Sequence, residues 1–126
     1  MENKKILVVD DEPDLVAFVK LRLEAHNYSV VTAKDGKEAL SVFDKENPDL
    51  VLLDILMPKI DGLKVCQTIR KDPSKARIPI IMLTAKDRSD DIHKAKEVGA
   101  NGYIVKPFEA ATLLFEIKSL LDKEKI

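Results

Sequence analysis

Short apolar runs alternate with amphipathic stretches along this chain. Ile6-Leu7-Val8-Val9, Leu50-Val51-Leu52-Leu53 and Ile78 to Leu83 are nearly continuous apolar segments, rich in β-branched residues and closed by polar groups. Segments of this length without a period-2 alternation read as strands buried on both faces. Ser29 to Ala33 and Tyr103-Ile104-Val105 add two weaker strand candidates. The stretches between them carry helical signals. Pro13 has the fixed φ that suits a first helical position, and Val16, Val19 and Leu23 follow at helical spacing. Asp35 and Glu38 have capping-box spacing ahead of a second helix, which must stop near Asn47-Pro48. A third helix is expected from about Gly62 to Lys71, broken by Asp72-Pro73. A fourth runs from about Ser89 to Val98 and ends at Gly99. Leu113, Leu114, Ile117, Leu120 and Leu121 form the apolar stripe of a fifth. Five strands and five helices in strict alternation predict an α/β fold: a parallel, doubly wound sheet with right-handed crossovers and helices on both faces. There is no internal repeat, linker or low-complexity stretch. One domain over residues 1–126 is expected, with its core at about 4–122 and a frayed charged tail from Asp122 to Lys125.

On this scheme the polar residues gather at one edge of the sheet. Asp10 and Asp11 follow the first strand, Asp54 the third and Lys106 the fifth, while Thr84 ends the fourth. Ligands of doubly wound sheets bind in the crevice at the carboxyl ends of the strands, where the strand order reverses. Three crowded carboxylates raise one another's pKa unless a cation intervenes. An all-oxygen donor set without histidine or thiolate favours a hard ion, magnesium above zinc or copper. A carboxylate beside magnesium can attack a phosphoryl donor to give an aspartyl phosphate. Lys106 and the metal would then stabilise the equatorial oxygens, and Thr84 would donate a hydrogen bond to one of them. Each residue alone also has a plain structural reading. Asp10-Asp11-Glu12 could cap a helix, Asp54 could end a strand, Thr84 could cap a turn, and Lys106 could be a solvated lysine. Their coincidence on four strand ends favours the site.

Charge and composition narrow the function further. Lysine and arginine number 21 against 22 acids, a net charge of −1, so no basic footprint for nucleic acid is present. The single cysteine, Cys66, cannot form an internal disulfide and reads as a packing residue in a reducing compartment. The N-terminal segment is too short for a signal peptide or a membrane span, and a cytoplasmic protein is expected.

The chain resembles the receiver domain of bacterial two-component response regulators over about residues 4 to 122. Val8-Val9-Asp10-Asp11-Glu12, Leu52-Leu53-Asp54, Met57-Pro58 with Asp61-Gly62, Leu83-Thr84-Ala85 and Lys106-Pro107-Phe108 carry the resemblance, in that order. It implies a flavodoxin-like (βα)5 fold with strand order 2-1-3-4-5 in three α/β/α layers. It also implies roles. Asp54 matches the phosphoacceptor, and Asp11 the direct magnesium ligand. Asp10 matches the partner that acts largely through water, and the backbone carbonyl of Leu56 completes the protein's share of the metal shell. Thr84 and Lys106 match the phosphate-contacting hydroxyl and ammonium. Tyr103 matches a switching aromatic, and Lys106-Pro107 a bond that is usually cis. The implied donor is a histidine kinase or a histidine phosphotransfer protein, so His26 and His93 have no required role. The expected output is binding to an effector protein through the face of the fourth helix, fifth strand and fifth helix. That face is also the candidate surface for a homodimer. The fourth helix, anchored mainly by Ile92 and Ala95, is the candidate bistable element.

Rival functions fare worse. A phosphatase of the haloacid dehalogenase type needs a second acid two residues after its aspartate, where this chain has Leu56. A flavodoxin needs a hydroxyl- and glycine-rich loop after the first strand, where this chain has Asp-Asp-Glu-Pro. No Gly-Lys-Ser/Thr phosphate loop is present. The expectation is therefore a non-enzymatic switch that takes part in its own phosphotransfer and slow autodephosphorylation. The resemblance places Leu56 and Lys86 beside the path of the hydrolytic water, and an apolar Leu56 there predicts a long-lived phosphoryl group. The sequence is compatible with a single-domain regulator and with the receiver part of a DNA-binding regulator or hybrid histidine kinase.

Overall fold

A computed structural model describes residues 3–57, 60–85 and 89–123. Five strands form one parallel sheet: β1 (Lys5–Val9), β2 (Ser29–Ala33), β3 (Leu50–Asp54), β4 (Ile80–Ala85) and β5 (Gly102–Lys106), in the order β2-β1-β3-β4-β5. Five helices alternate with them: α1 (Pro13–Ala25), α2 (Gly36–Glu46), α3 (Gly62–Arg70), α4 (Ser89–Glu97) and α5 (Ala110–Lys123). The sequence expectation of fold and strand order holds.

The apolar runs are continuous because successive residues point to opposite faces and both faces are covered. Ile6, Val8, Leu50, Leu52, Ile81, Leu83 and Ile104 pack against Val19 and Leu23 of α1 and Leu113, Ile117 and Leu121 of α5. The alternate residues Leu7, Val9, Val51, Leu53, Ile80 and Met82 pack against Ala39 and Phe43 of α2, Val65, Cys66 and Ile69 of α3 and Ala95 of α4. Truncating one such residue, Leu52→Ala for example, is expected to cost roughly 2–5 kcal/mol. Cys66 is fully buried, as its reading as a packing residue anticipated, and burial pushes its thiol pKa up.

Local chemistry sets the helix starts. Asp35 accepts from the Glu38 N–H at 2.8 Å, and the Glu38 carboxylate accepts in turn from the Lys34 N–H at 2.8 Å. Asp61 caps α3 by accepting from the Lys64 N–H at 2.9 Å. Asn47 (φ 49°) and Gly99 (φ 96°) take the left-handed turns after α2 and α4.

Some boundaries differ from expectation. The fourth strand begins at Ile80 rather than Ile78: Pro79 has no N–H for a ladder, although its carbonyl accepts from the Val51 N–H at 3.0 Å. Asp72-Pro73 ends α3 by starting a short 3₁₀ turn, Pro73–Lys75, in which the Asp72 side chain accepts from Ser74 N–H. Asp122 is still helical, and the tail beyond Lys123 lies outside the described residues.

Candidate functional site

The β1–β3 register pairs Val9 with Leu53, so Asp10 and Asp54 emerge side by side where the chain order reverses. On the other flank Asp54 pairs with Leu83, which brings Thr84 alongside, and Ala85 pairs with Lys106. Parallel pairing thus delivers residues distant in sequence to one edge. Asp54 and Lys106 are the last residues of their strands rather than the ones that follow them, and Ala85, not Thr84, closes β4.

Asp10 and Asp54 are buried and Asp11 is exposed, and one carboxylate oxygen of each lies within 4.8 Å of the other two. The Lys106 ammonium reaches over them. Its Nζ lies 2.8 Å from Asp10 Oδ2, 3.3 Å from Glu12 Oε1 and 3.5 Å from Asp54 Oδ2. Asp10 Oδ1 also accepts from the Glu12 N–H at 3.0 Å, and Asp54 Oδ1 from the Leu56 N–H at 3.3 Å. Thr84 is buried, and its hydroxyl donates only a long bond, 3.4 Å, to the Ala85 carbonyl. Asp54, Thr84, Lys106 and Leu56 line one crevice of ≈ 190 Å³ together with Asp11, Glu12 and Asp91.

Gly62 packs against the backbone of Asp54 and Ile55. Its N–H donates to the Ile55 carbonyl at 2.9 Å, and a Cβ there would overlap the Asp54 carbonyl oxygen. The Lys106–Pro107 peptide bond is cis.

Comparison with known proteins identifies the family. Residues 6–118 match the profile of the response regulator receiver domain. The chain belongs to the response regulator receiver domain family. It is 44% identical over 124 residues to the alkaline phosphatase synthesis transcriptional regulatory protein PhoP of Bacillus subtilis (strain 168), covering 98% of this chain and 51% of that protein. Among solved structures it is similar to the receiver domain of a signal transduction histidine kinase from Syntrophus aciditrophicus (TM-score 0.89, 32% identity, 95% of this chain and 91% of that one). It is likewise similar to the Vibrio cholerae chemotaxis protein CheY4 (TM-score 0.88, 34% identity, 94% and 98%). The chain spans about half the length of the curated relatives it matches.

The electrostatics of this receiver are those of an incompletely neutralised site. Burial pushes the Asp54 pKa up to about 6, and Asp10 adds to the rise; Lys106 and the Leu56 N–H pull it back only in part. For Lys106 burial acts downward, but its bond to Asp10 and the charges of Asp54 and Asp10 outweigh it, and its pKa is raised. One ammonium shared among several carboxylates leaves negative charge over. The donor set is all carboxylate oxygen, close-set and open on the Asp11 side, and fits a hard divalent cation.

The crevice gathers Asp11, Asp54, Leu56, Thr84 and Lys106, while Asp10 is buried and joins them through its ion pair with Lys106. Tyr103 stands apart from it: the residue is 40% exposed, with the Lys96 ammonium 5.9 Å from its ring centroid. His26 and His93 are exposed and outside the crevice. Pro58 and Lys86 lie outside the described residues. Two acids had no predicted part in the crevice. Glu12 shares Lys106, and Asp91 is buried in the first turn of α4. The anchorage of α4 thus differs from expectation, since Ala95 is buried, Ile92 only half-buried, and the third inward residue is a carboxylate. An acid in a first helical turn is ordinarily a solvated dipole partner, so nothing in the sequence marked Asp91 as inward-facing.

Proposed function

We propose that this receiver is a phosphorylation-dependent switch in which Asp54 accepts a phosphoryl group from a phosphohistidine of a histidine kinase or histidine phosphotransfer protein. An Asp54 oxygen attacks phosphorus, the P–N bond breaks, and the histidine nitrogen leaves with the electron pair and takes up a proton. The observation that carries the reading is the packing of Asp54 against Lys106 with oxygens of Asp10 and Asp11 close by. Asp10, Asp11, Asp54 and the Leu56 backbone carbonyl would hold Mg2+, Asp10 largely through water. The ion supplies charge neutralisation for the incoming phosphoryl oxygens. Lys106 contacts one of those oxygens and the Thr84 hydroxyl, now so weakly engaged, turns to another.

The movement of Thr84 leaves space into which Tyr103 turns, and the α4–β5–α5 face changes with it. That face binds the effector protein, or a second copy of the chain. The phosphoryl group is held as a signal and lost slowly by autodephosphorylation, because Leu56 offers no group to orient an attacking water. Residues 1–126 act as one domain, set in the cytoplasm, where the lone thiol of Cys66 stays reduced. No helix among the described residues is long and apolar enough to cross a membrane.

Incubation with acetyl phosphate and Mg2+ tests the central assignment. The wild type should gain the mass of one phosphoryl group and Asp54→Asn should not. A gain that survives the substitution refutes the assignment. A second reading, that the receiver works within a larger protein, is favoured for a DNA-binding regulator by the share of length matched in the transcriptional regulatory protein PhoP and for a hybrid kinase by the likeness to the histidine-kinase receiver. The mass of the protein from its native source decides it.

A further inference from the structure

β5 carries Tyr103 on the face of the sheet that α4 covers. The β4–β5 register pairs Met82 with Tyr103 and Thr84 with Val105, and side chains two apart along a strand share a face. Met82 belongs to the core cluster that includes Ala95 of α4, whereas Ile104 belongs to the cluster beneath α1 and α5. Tyr103 therefore lies on the same face as Thr84, one strand over. It is nevertheless 40% exposed, and the group that stands over its ring is the Lys96 ammonium, 5.9 Å from the centroid. Lys96 follows Ala95, which is buried against the sheet and fixes where the lysine stem begins. Lys96 and Tyr103 line one groove of ≈ 400 Å³. Among the described residues neither the Lys96 ammonium nor the Tyr103 hydroxyl has a hydrogen bond or an ion pair. A cation over an aromatic face is attracted by the ring's quadrupole, and a ring that turns away gives up that attraction.

We propose that Lys96 is a positioning residue for the switch: its ammonium latches the Tyr103 ring in the outward position, so that the inward turn that follows closure of Thr84 must break a contact between α4 and β5. The inference rests on the reading of Asp54 as phosphoacceptor and of Tyr103 as the ring that turns inward. It gives the last turn of α4 a part in the switch, away from the crevice, which Lys96 does not line. The sign of the effect separates such a latch from bulk electrostatics. Removing a positive charge weakens the binding of an anion, whereas removing a contact made only in the unliganded state tightens it.

Beryllofluoride is titrated at saturating Mg2+ into wild type, Lys96→Gln, Lys96→Arg, Tyr103→Leu and the double variant Lys96→Gln with Tyr103→Leu, followed by amide NMR shifts. Lys96→Gln should bind the mimic about two- to fivefold more tightly, the range that an exposed cation–aromatic contact supports. Lys96→Arg, whose guanidinium also stacks on aromatic faces, should bind it as wild type does. In the Tyr103→Leu background Lys96→Gln should have no effect. Without ligand, the ring current should move the Lys96 ε-methylene protons upfield in wild type and not in Tyr103→Leu. Lys96→Gln that binds the mimic no more tightly than wild type overturns the inference, as does a tightening that persists in Tyr103→Leu or appears in Lys96→Arg. Unshifted ε-methylene protons in wild type overturn it whether or not the mimic binds. Wild type that binds Mg2+ but not beryllofluoride refutes the phosphoacceptor reading, on which the latch depends. That result is distinct from failure of the latch alone, in which wild type still binds the mimic.

Discussion

Lys106 binds Asp10 more closely than it binds Asp54: its Nζ is 2.8 Å from the Asp10 carboxylate and 3.5 Å from that of Asp54. The ammonium thus neutralises the more deeply buried acid first. Asp54 and Lys106 line the same crevice. Removing this cation leaves Asp10 buried without its ion pair. Lys106→Ala should therefore lower stability at neutral pH by about 1–3 kcal/mol. Saturating Mg2+, which would supply replacement charge, should shrink the loss. Urea denaturation with and without the ion measures both effects, and an equal loss in the two conditions would count against a shared cation site.

The raised pKa of Asp54 predicts a pH-dependent stability. Its folded value is about 6 against an ordinary 3.8, so the folded state holds the proton more tightly than the unfolded chain does. Ionised Asp54 therefore opposes folding above pH 6. The opposition is relieved as the pH falls through about 6 and is gone near 3.8. Asp54→Asn should be more stable than wild type at neutral pH without divalent metal, and the gain should fade as the solution is acidified through this window. Thermal melts in chelator across the range check this. A difference that stays constant with pH would show that Asp54 titrates normally.

Gly62 permits close approach of α3 to the backbone of Asp54. Gly62→Ala drives a methyl group into the Asp54 carbonyl oxygen, a backbone atom that cannot swing aside. The expected cost is about 1–3 kcal/mol, as for overpacked cores. Because the displaced residue is Asp54 itself, phosphoryl uptake from acetyl phosphate should fall as well, even under conditions where the variant is fully folded. Uptake at the wild-type rate in folded Gly62→Ala would separate the packing from the chemistry.

The inward movement proposed for Tyr103 has an optical readout. The chain has two tyrosines and no tryptophan, so Tyr28→Phe leaves Tyr103 as the sole emitter. Tyr103 is 40% exposed in the present structure. Beryllofluoride with Mg2+ should make it less accessible to iodide quenching. Unchanged quenching in a protein shown by NMR to bind the mimic would rule the movement out.

At the opposite end of the sheet Arg70 joins three segments. Its guanidinium donates to the Gly99 carbonyl at 3.0 Å, the Lys75 carbonyl at 3.1 Å and the Asn101 side-chain oxygen at 2.7 Å. That Asn101 oxygen also accepts from the Ile80 N–H at 2.8 Å. Arg70→Ala should cost about 1–3 kcal/mol. Mg2+ affinity should remain at the wild-type value, because the clamp is far from the carboxylates. A parallel loss of Mg2+ binding would show that the two ends of the sheet are coupled.

The sequence by itself determined the alternation of strands and helices, because burial on both faces demands unbroken apolar runs such as Leu50 to Leu53. It also placed Asp10, Asp11, Asp54, Thr84 and Lys106 at one edge, because in a parallel sheet every strand ends on the same side. The fourth strand was misjudged by two residues, since hydropathy continues through Pro79 while the hydrogen-bond ladder does not. Tertiary structure alone decided how charge is shared inside the crevice. The preference of Lys106 for Asp10, the raised pKa of Asp54 and the inward turn of Asp91 depend on distances across the sheet and on exclusion of water. Both arise only when segments remote in sequence pack together, so no local pattern of residues encodes them.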